Sequence, residues 1–347
     1  MLERTIKRNV TIYDIAKEAN VSAATVSRVL NKTTNVKSDK EKMILELVEK
    51  YSFVPNNSAR SLSNRNSKTI GIIIPDIRNA YYANLQTFCE KEADRLGYHL
   101  LLANTLGENE HMTESIQNLI CKSVDGIVQL GGSVDRVEIN RQYLDIIDKI
   151  TEKIPYVSTG NIEKSNCSSV RCNEYKGAGR LTEYLIQKGH KKILFLGGID
   201  NVLSTADKWK AFKDIMKKHQ LTEQSVIQPC RYEMEDGYQA MMEYWECHIN
   251  KPTALICINE LVAIGAVHAS REIGIAVPGD LSITAFDNTY LSRITMPRLT
   301  GMGYNYEKYA KEIISKMVNE IEGRPYKTKV IDLELVERDS VSDIQTP

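Results

Sequence analysis

Two short stripes of apolar residues at helical spacing open the chain, within residues 11 to 31. Thr11 and Asp14 have the spacing of a capping box at the start of the first stripe, and Ser22 stands where it can cap the second. Asn20 lies between the stripes and tolerates the left-handed backbone that a sharp reversal requires. The pattern predicts two capped helices joined by a tight turn.

A third apolar stripe follows, and Pro55 ends it. Ser38 and Glu41 again have the spacing of a capping box, which predicts that a helix begins there. The apolar face of this helix can close a small core over the first two. We therefore interpret the start of the chain as a three-helix unit with a helix-turn-helix, although an ordinary helical hairpin shares the pattern of the first two helices. The second helix of a helix-turn-helix enters a DNA major groove.

After residue 68 the pattern changes to short apolar runs that alternate with amphipathic stretches. The runs predict strands over residues 69–75, 98–103, 126–130, 154–158, 192–197, 254–258 and 282–286. The stretches predict helices over residues 82–96, 110–122, 141–153, 177–189, 206–219, 236–246 and 261–273. Such alternation is typical of α/β proteins and predicts two doubly wound parallel-sheet subdomains.

Charge separates the same two parts of the chain. The protein has 45 Lys and Arg and 45 Asp and Glu, of which residues 1–68 hold 13 and 7. The first part is therefore net +6 and the remainder net −6. A basic head on an acidic body suits a phosphate-binding module attached to a sensor, although a solvated charged surface can produce a difference of this size.

Several classes of function lack support in the sequence. The charged N-terminus has no secretory apolar core, and no apolar run is long enough to span a bilayer. Seven cysteines without a Cys-x-x-Cys motif suit a reducing cytoplasm. The sequence has no phosphate-binding glycine motif, and its six histidines show no metal-ligand spacing. We therefore expect a cytoplasmic binding protein that is not an enzyme and has no cofactor or metal.

Four ordered motifs stand in the first 62 residues. They read Thr11-Ile-Tyr-Asp-Ile-Ala, Val21-Ser-x-x-Thr-Val-Ser-Arg-Val-Leu-Asn31, Tyr51-x-Phe-Val-Pro55-Asn and Ala59-Arg-Ser-Leu62. Together they closely resemble the LacI type, the lactose-repressor and galactose-repressor family of bacterial transcription regulators. The similarity continues through nearly all of the chain, and it implies that the body has the fold of a periplasmic sugar-binding protein.

The resemblance implies three regions. These are a helix-turn-helix DNA-binding domain over residues 1–57, a hinge over 58–68, and an effector-binding and dimerisation domain over 69–347. Within the last, the first subdomain is expected at about 69–162 and 300–331, and the second at about 163–297 and 332–347. The chain then crosses between subdomains near residues 159–168, 296–302 and 330–336.

The resemblance also implies how the head reads DNA. Arg28 is the best candidate for a bidentate contact with a guanine edge, and Leu62 matches the hinge leucine that wedges into the minor groove. Ala23 and Ala24 can contact only thymine methyl groups or the backbone. The full expected DNA-binding set is Tyr13, Ser22, Ala23, Ala24, Thr25, Ser27, Arg28, Asn31, Arg60 and Leu62.

Matched by position, the effector site lies in loops beyond the carboxyl ends of strands, where ligands bind in open α/β sheets. The expected effector-binding residues are Asn79, Tyr81, Tyr82, Asn161, Lys208, Tyr232, Asn259 and Asp287. Three positions depart from the family. Lys208 replaces a usual arginine, Gly160 an aspartate that relatives often carry, and Cys172 the aspartate of a common Asp-Asn pair. A changed ligand, a phosphorylated ligand held by Lys208, and a lost response all stay open.

We therefore predict a sequence-specific DNA-binding transcriptional regulator, a repressor, controlled by a small-molecule effector that is a sugar or a sugar phosphate. It is expected to act as a homodimer on a near-palindromic operator, without a membrane. The alternative is a solute-binding or sugar-processing protein with an appended DNA-binding head. The sequence leaves open whether the effector releases or promotes DNA binding.

Overall fold

The computed structural model describes residues 10–31, 36–53, 67–107, 109–162, 165 and 167–344. Contacts divide the chain into two units, Met1–Ser67 and Lys68–Pro347. The division lies where the apolar pattern of the sequence changes. Most of the predicted hinge, residues 58–68, lies outside the described residues.

The first unit contains three described helices. They are α1 (Ile12–Glu18), α2 (Ala23–Asn31) and α3 (Ser38–Lys50). Their apolar faces meet in a small core that includes Ile15 and Ile44, both fully buried. Helix α3 has Lys37 as its N-cap and receives no side-chain cap bond. The capping box predicted for Ser38 and Glu41 is therefore wrong, because Ser38 is already inside the first turn.

The other predicted caps are confirmed. Asp14 accepts the Thr11 backbone N–H at 2.8 Å, and Thr11 Oγ1 accepts the Asp14 N–H at 3.4 Å. Asn20 has a φ of 49° in the turn. Ser22 Oγ then accepts the Thr25 N–H at 3.2 Å at the start of α2. These bonds satisfy backbone donors that a short helix leaves unpaired at its start.

The second unit alternates strands and helices as predicted. Its strands are β1 (Thr69–Ile74), β2 (His99–Asn104), β3 (Gly126–Gln129), β4 (Tyr156–Ser158), β5 (Ser168–Ser169), β6 (Ile193–Leu196), β7 (Ser225–Gln228), β8 (Ala254–Cys257), β9 (Ser282–Asp287), β10 (Thr300–Gly303) and β11 (Glu334–Val336). Its α-helices are α4 (Ala80–Arg95), α5 (Asn109–Cys121), α6 (Arg141–Thr151), α7 (Glu174–Gln187), α8 (Leu203–Lys218), α9 (Met234–Cys247), α10 (Glu260–Glu272), α11 (Leu291–Ile294) and α12 (Tyr306–Ile321). Elements after α10 other than β9 were not predicted, and neither were β5 and β7.

Two sheets organise these elements. The first has the order β2-β1-β3-β4-β5 and is parallel throughout. The second has the order β11-β10-β9-β8-β6-β7, and only its edge strand β11 runs antiparallel. Strands β3, β6 and β8 are buried along their whole length, as expected for parallel sheets covered by helices on both faces. We call each sheet with its packed helices a lobe, so α12, which packs against α4, belongs to the first lobe.

The chain crosses between the lobes later than predicted at two places. The predicted second subdomain begins at residue 163, but β5 pairs with β4 in the first sheet. The predicted first subdomain resumes at residue 300, but β10 pairs with β9 in the second sheet. Both strands are short and polar or glycine-rich, so neither forms an apolar run. Gly301 in β10 is required sterically, because a Cβ there would lie 1.9 Å from the Ala285 carbonyl oxygen.

Two further features bear on the class of protein. All seven cysteines are free, and Cys89, Cys172 and Cys257 are buried. Cys167 and Cys172, the nearest pair in the sequence, are therefore not joined. No helix in the described part of the chain is long and apolar enough to cross a membrane.

Candidate functional site

A cavity of about 390 Å³ lies between the two lobes of the second unit. The loops after β1 and β3 line it from the first lobe, and the loops after β6, β8 and β9 line it from the second. These are carboxyl ends of parallel strands, which is where open α/β sheets bind ligands. The volume falls within the range of small-molecule sites, roughly 300–1,000 Å³.

The structure brings most of the predicted effector-binding residues together around this cavity. They are Asn79, Tyr81, Tyr82, Lys208, Tyr232, Asn259 and Asp287. Asn161 is not among the described residues that line it, whereas Thr159 is. Gly160, between these two residues, is packed against the first lobe, where a Cβ would lie 1.8 Å from the Val134 carbonyl oxygen. Glycine is thus required at the position where the family often has aspartate.

Lys208 of α8 already has an anionic partner. Its Nζ lies 2.9 Å from Glu174 Oε2, and both side chains are largely buried. The same Nζ donates to Tyr304 OH at 3.5 Å and lies 4.8 Å from the centre of the Phe286 ring. Burial is the largest single influence and lowers the pKa of the Lys208 ammonium. The charge and hydrogen bond of Glu174, with the charges of Asp287 and Asp135, together outweigh it and hold that pKa above its usual value.

Asp287 is presented by a strained backbone. It ends β9 with a φ of 92°, a conformation that costs a non-glycine residue on the order of 1–3 kcal/mol. Its carbonyl oxygen accepts the Tyr306 OH at 3.0 Å. Burial, and then the charge of Glu260, raises the pKa of Asp287 to about 8, while Lys208 opposes this rise. At neutral pH the Asp287 carboxyl is therefore largely protonated.

Glu260, the first residue of α10, holds the loop that follows Asp287. Its buried carboxylate accepts the Thr289 N–H at 2.7 Å and the Ser292 N–H at 3.1 Å. The hydroxyl groups of Thr289 and Ser292 donate to it as well. Four donors on one buried carboxylate fix the path of this loop, and so the position of Asp287.

Two further predicted residues are fixed by hydrogen bonds of the fold. Asn259 Oδ1 accepts the Val262 N–H at 2.9 Å and caps α10, while its Nδ2 donates to the Tyr232 carbonyl at 2.9 Å. The hydroxyl group of Tyr232 pairs with that of Thr205 at 2.9 Å. The Asn259 amide therefore serves the fold, whereas the Tyr232 side chain lines the cavity.

Tyrosine rings form the remaining wall. The ring centre of Tyr81 lies 5.0 Å from that of Tyr82 and 4.9 Å from that of Tyr304, both edge to face. Burial raises the pKa of these three phenols, which keeps them neutral. Tyr304 and Tyr309 also line the cavity, and neither was predicted. Their only sequence signal is that they follow β10, which has no apolar run.

Asp135 joins the two lobes and was also missed. It follows β3 in the first lobe, and its carboxylate accepts the backbone N–H of Ser204 at 3.1 Å and the hydroxyl at 2.6 Å. Its carbonyl oxygen accepts the Leu203 N–H at 3.2 Å. Helix α8 receives no side-chain bond from its own N-cap, Val202. A carboxylate of the first lobe thus caps a helix of the second.

The cavity offers groups that suit a polyhydroxyl ligand. Carboxyl groups and phenols bond hydroxyl groups, and tyrosine faces pack against sugar rings. No group of three or more His, Cys, Asp and Glu in the described ranges is arranged to hold a metal ion.

The head presents a polar face on and beside α2. Of the predicted DNA-binding residues, Tyr13, Ser22, Ala24 and Arg28 are exposed, and Ala23, Thr25 and Ser27 are half-buried. Val26 and Val29 are buried in the core of the unit. The Asn31 side chain, Arg60 and Leu62 lie outside the described residues.

Known proteins resemble both units. Residues 11–56 match the family described as bacterial regulatory proteins, lacI family, and residues 182–341 match a periplasmic binding protein-like domain. In structure the chain is similar to the lac repressor dimer bound to operator and the anti-inducer ONPF, with a TM-score of 0.86 and 21% identity over 96% of this chain and 100% of that one. It is also similar to a CelR–cellobiose complex, with a TM-score of 0.69 and 19% identity over 95% and 99%.

Sequence similarity to curated proteins is closer. The chain is 35% identical to the Catabolite control protein A of Staphylococcus xylosus and 34% identical to that of Priestia megaterium. Each comparison covers 90% of this chain and 93% of the relative. The chain therefore belongs to the lacI family of bacterial regulatory proteins.

Proposed function

We propose that this protein is a sequence-specific transcriptional repressor whose affinity for its operator is controlled by a carbohydrate bound between the two lobes. The observation that carries the proposal is the presence, in one chain, of a capped helix-turn-helix and a tyrosine-lined polar cavity at the carboxyl ends of two parallel sheets. The first is the form of a DNA reader and the second that of a small-molecule site. Such a regulator acts in the cytoplasm, where bacterial DNA is.

On DNA, one head reads one half-site, so a homodimer reads a near-palindrome. Arg28 is the only long cationic side chain on α2, and it is exposed. We assign it the base-edge contact, with Tyr13 and the hydroxyl residues of α2 on phosphates. Leu62 is assigned the minor-groove wedge from the resemblance alone.

In the effector domain, ligand contacts from both lobes set the angle between them. Tyr81 and Tyr82 approach the ligand from the first lobe, and Tyr232 and Asp287 from the second. A change of angle alters the spacing of the two hinges in a dimer, and so the fit of the heads to paired half-sites.

The test of the DNA-reading role is Arg28→Ala, on an operator selected from random duplexes by the wild-type protein. Loss of a bidentate guanine contact should weaken specific binding by about 1–3 kcal/mol and relax preference at one base pair. Gel-shift titrations of every single-base variant of the operator measure both effects.

Lys40→Ala, which removes an exposed lysine of α3, is the matched control. It should leave the base preferences unchanged. If Arg28→Ala keeps the wild-type preference at every position of the operator, Arg28 does not read a base.

A further inference from the structure

The charge on the walls of the cavity is unusual for a site that would hold a phosphate. Among the described residues that line it, five are acidic, namely Asp76, Asp135, Glu174, Glu233 and Asp287. Three are basic, namely Arg136, Arg171 and Lys208. Because Asp287 is largely protonated at neutral pH, four ionised acids face three basic groups. The walls are therefore slightly negative before any ligand enters, and they do not attract an anion.

Two of the basic groups are also engaged with acidic partners. Lys208 Nζ is held 2.9 Å from Glu174, and its side chain is only 6% exposed. Arg171 Nη2 lies 3.3 Å from Asp207. An anionic ligand that paired with Lys208 would have to break the Lys208–Glu174 pair and leave the Glu174 carboxylate buried without its partner, which is strongly unfavourable.

Helix N-termini are the other usual anion sites in this type of fold, and three that border the cavity already have a side-chain cap. Asn79 accepts the Tyr81 N–H of α4 at 2.9 Å, and Asn259 caps α10. At α7, Asn173 accepts the Lys176 N–H at 3.0 Å.

Carboxylates lie at the N-termini of α7 and α8, which also border the cavity. Glu174 lies in the first turn of α7. At α8, Asp135 takes the Ser204 N–H from across the cleft, at 3.1 Å. The positive ends of these two helix dipoles thus face anions that the chain itself supplies.

We propose that Asp135 and Glu174 close the anion-binding positions of the cavity, so that its ligand is an uncharged polyhydroxyl compound and phosphorylated sugars are excluded. This rests on the proposed function, and it decides between the two ligand classes that the sequence leaves open. Hydroxyl groups bond Asp287 and the phenols of Tyr82 and Tyr232, which all line the cavity. Tyrosine faces pack against the apolar faces of a sugar ring.

The test measures binding to the full-length protein without DNA. The probes are ribose and ribose 5-phosphate, glucose and glucose 6-phosphate, glucosamine, and inorganic phosphate. Thermal shift and intrinsic tryptophan fluorescence report binding. Trp209, one of the two tryptophans, is the neighbour of Lys208 on α8. A neutral sugar should bind at least tenfold more tightly than its phosphate ester, and inorganic phosphate should give no shift.

Two variants test the cause of the discrimination. Asp135→Asn retains a cap for α8 but removes the charge, and Glu174→Gln removes the anionic partner of Lys208. Each should tighten binding of the ester at least tenfold relative to the parent sugar. Glu183→Gln is the matched control, because Glu183 lies on the same helix as Glu174 but pairs with the exposed Lys218. It should leave the discrimination unchanged.

The proposal is overturned if a phosphate ester binds wild-type protein as tightly as its parent sugar, or if glucosamine binds more tightly than glucose. It is also overturned if no neutral sugar binds. Finally, it is overturned if the Asp135→Asn and Glu174→Gln proteins fold but prefer the sugar over its phosphate ester as strongly as the wild-type protein does. The proposed repressor function is tested separately, by the change in operator affinity on addition of the bound sugar. A sugar that binds without affecting DNA affinity contradicts that function and leaves the ligand class standing.

Discussion

The two walls of the cavity hold their polar groups in different ways. In the second lobe, Lys208 is paired with Glu174, Asn259 caps its own helix, and Glu260 is bonded by four donors. In the first lobe, the wall is largely aromatic, and the carboxylate of Asp135 bonds across the cleft to Ser204. The polar groups of the second wall are thus held by hydrogen bonds within one lobe. In the first wall, Asp135 forms its hydrogen bonds to Ser204 only when the lobes meet.

This difference predicts where substitutions act. Removing a partner in the second wall leaves a buried polar or charged group unsatisfied, so the cost falls on folding. Removing a group in the first wall weakens closure of the cleft, so the cost falls on ligand binding.

The largest effect is expected from Glu174→Ala. It leaves the Lys208 ammonium buried without its anion, which should lower the free energy of unfolding by about 3–5 kcal/mol. Urea unfolding followed by circular dichroism measures this loss. The double substitution Glu174→Ala with Lys208→Met should recover most of it, because no buried charge remains.

Glu183→Ala provides the comparison on the same helix. Its ion pair with Lys218 is exposed on the lysine side, and such pairs contribute about 0–1 kcal/mol. Equal losses for the substitutions at Glu174 and Glu183 would contradict the idea of a preorganised second wall.

The next effect is expected from Asp135→Ala in the first wall. Loss of a cap costs about 0.5–2 kcal/mol, and here the cap exists only between closed lobes. Affinity for the bound sugar should therefore fall by about 2- to 30-fold, with a smaller change in unfolding free energy than Glu174→Ala gives. Isothermal titration calorimetry measures the affinity. Ser204→Ala, which removes only the hydroxyl bond, should give a smaller loss.

The long sequence separation of this bond explains why it could not be predicted. Asp135 and Ser204 are 69 positions apart, and no local pattern marks a cap that another lobe supplies. The capping box at Thr11 and Asp14 was predictable because its partners are three residues apart. The predicted box at Ser38 failed although its spacing was right, since the helix begins one residue earlier.

The same contrast holds for the fold and the site. Strands with apolar runs, such as β1 and β9, were predicted within a residue of their ends, because burial on both faces demands such runs. β10 was missed because close packing requires Gly301 there. Tyr304, which follows β10, was missed for the same reason. The seven predicted effector residues that line the cavity were predicted from family resemblance and from their place after strands, and their ligand contacts stay a prediction.

Among the groups of the second wall, Asp287 is the one expected to make ligand affinity depend on pH. Its pKa is raised to about 8, so it is largely protonated at neutral pH. A ligand hydroxyl that donates to the carboxylate stabilises the ionised form, so binding below pH 8 releases a proton. Affinity for an uncharged sugar should therefore rise by up to about tenfold per pH unit between pH 6 and 8, which is at most about 100-fold in all, and level off above pH 9. Asp287→Asn should bind more weakly, with a flat profile over this range.

The last comparison is between two tyrosines whose rings are in contact. Tyr304 OH donates to Glu174 Oε1 at 2.9 Å, and its ring centre is 4.9 Å from that of Tyr81. Tyr304→Phe keeps this ring contact but removes a hydrogen bond to a charged group. The loss should lower the free energy of unfolding by about 1–3 kcal/mol. We expect a value at the low end of this range, because Lys208 still pairs with Glu174. Tyr81→Phe should cost less, since its ring contributes to the wall mainly through packing. If Tyr81→Phe destabilises the protein more than Tyr304→Phe in the same urea titration, the first wall is also held by internal polar bonds, and the contrast between the walls fails.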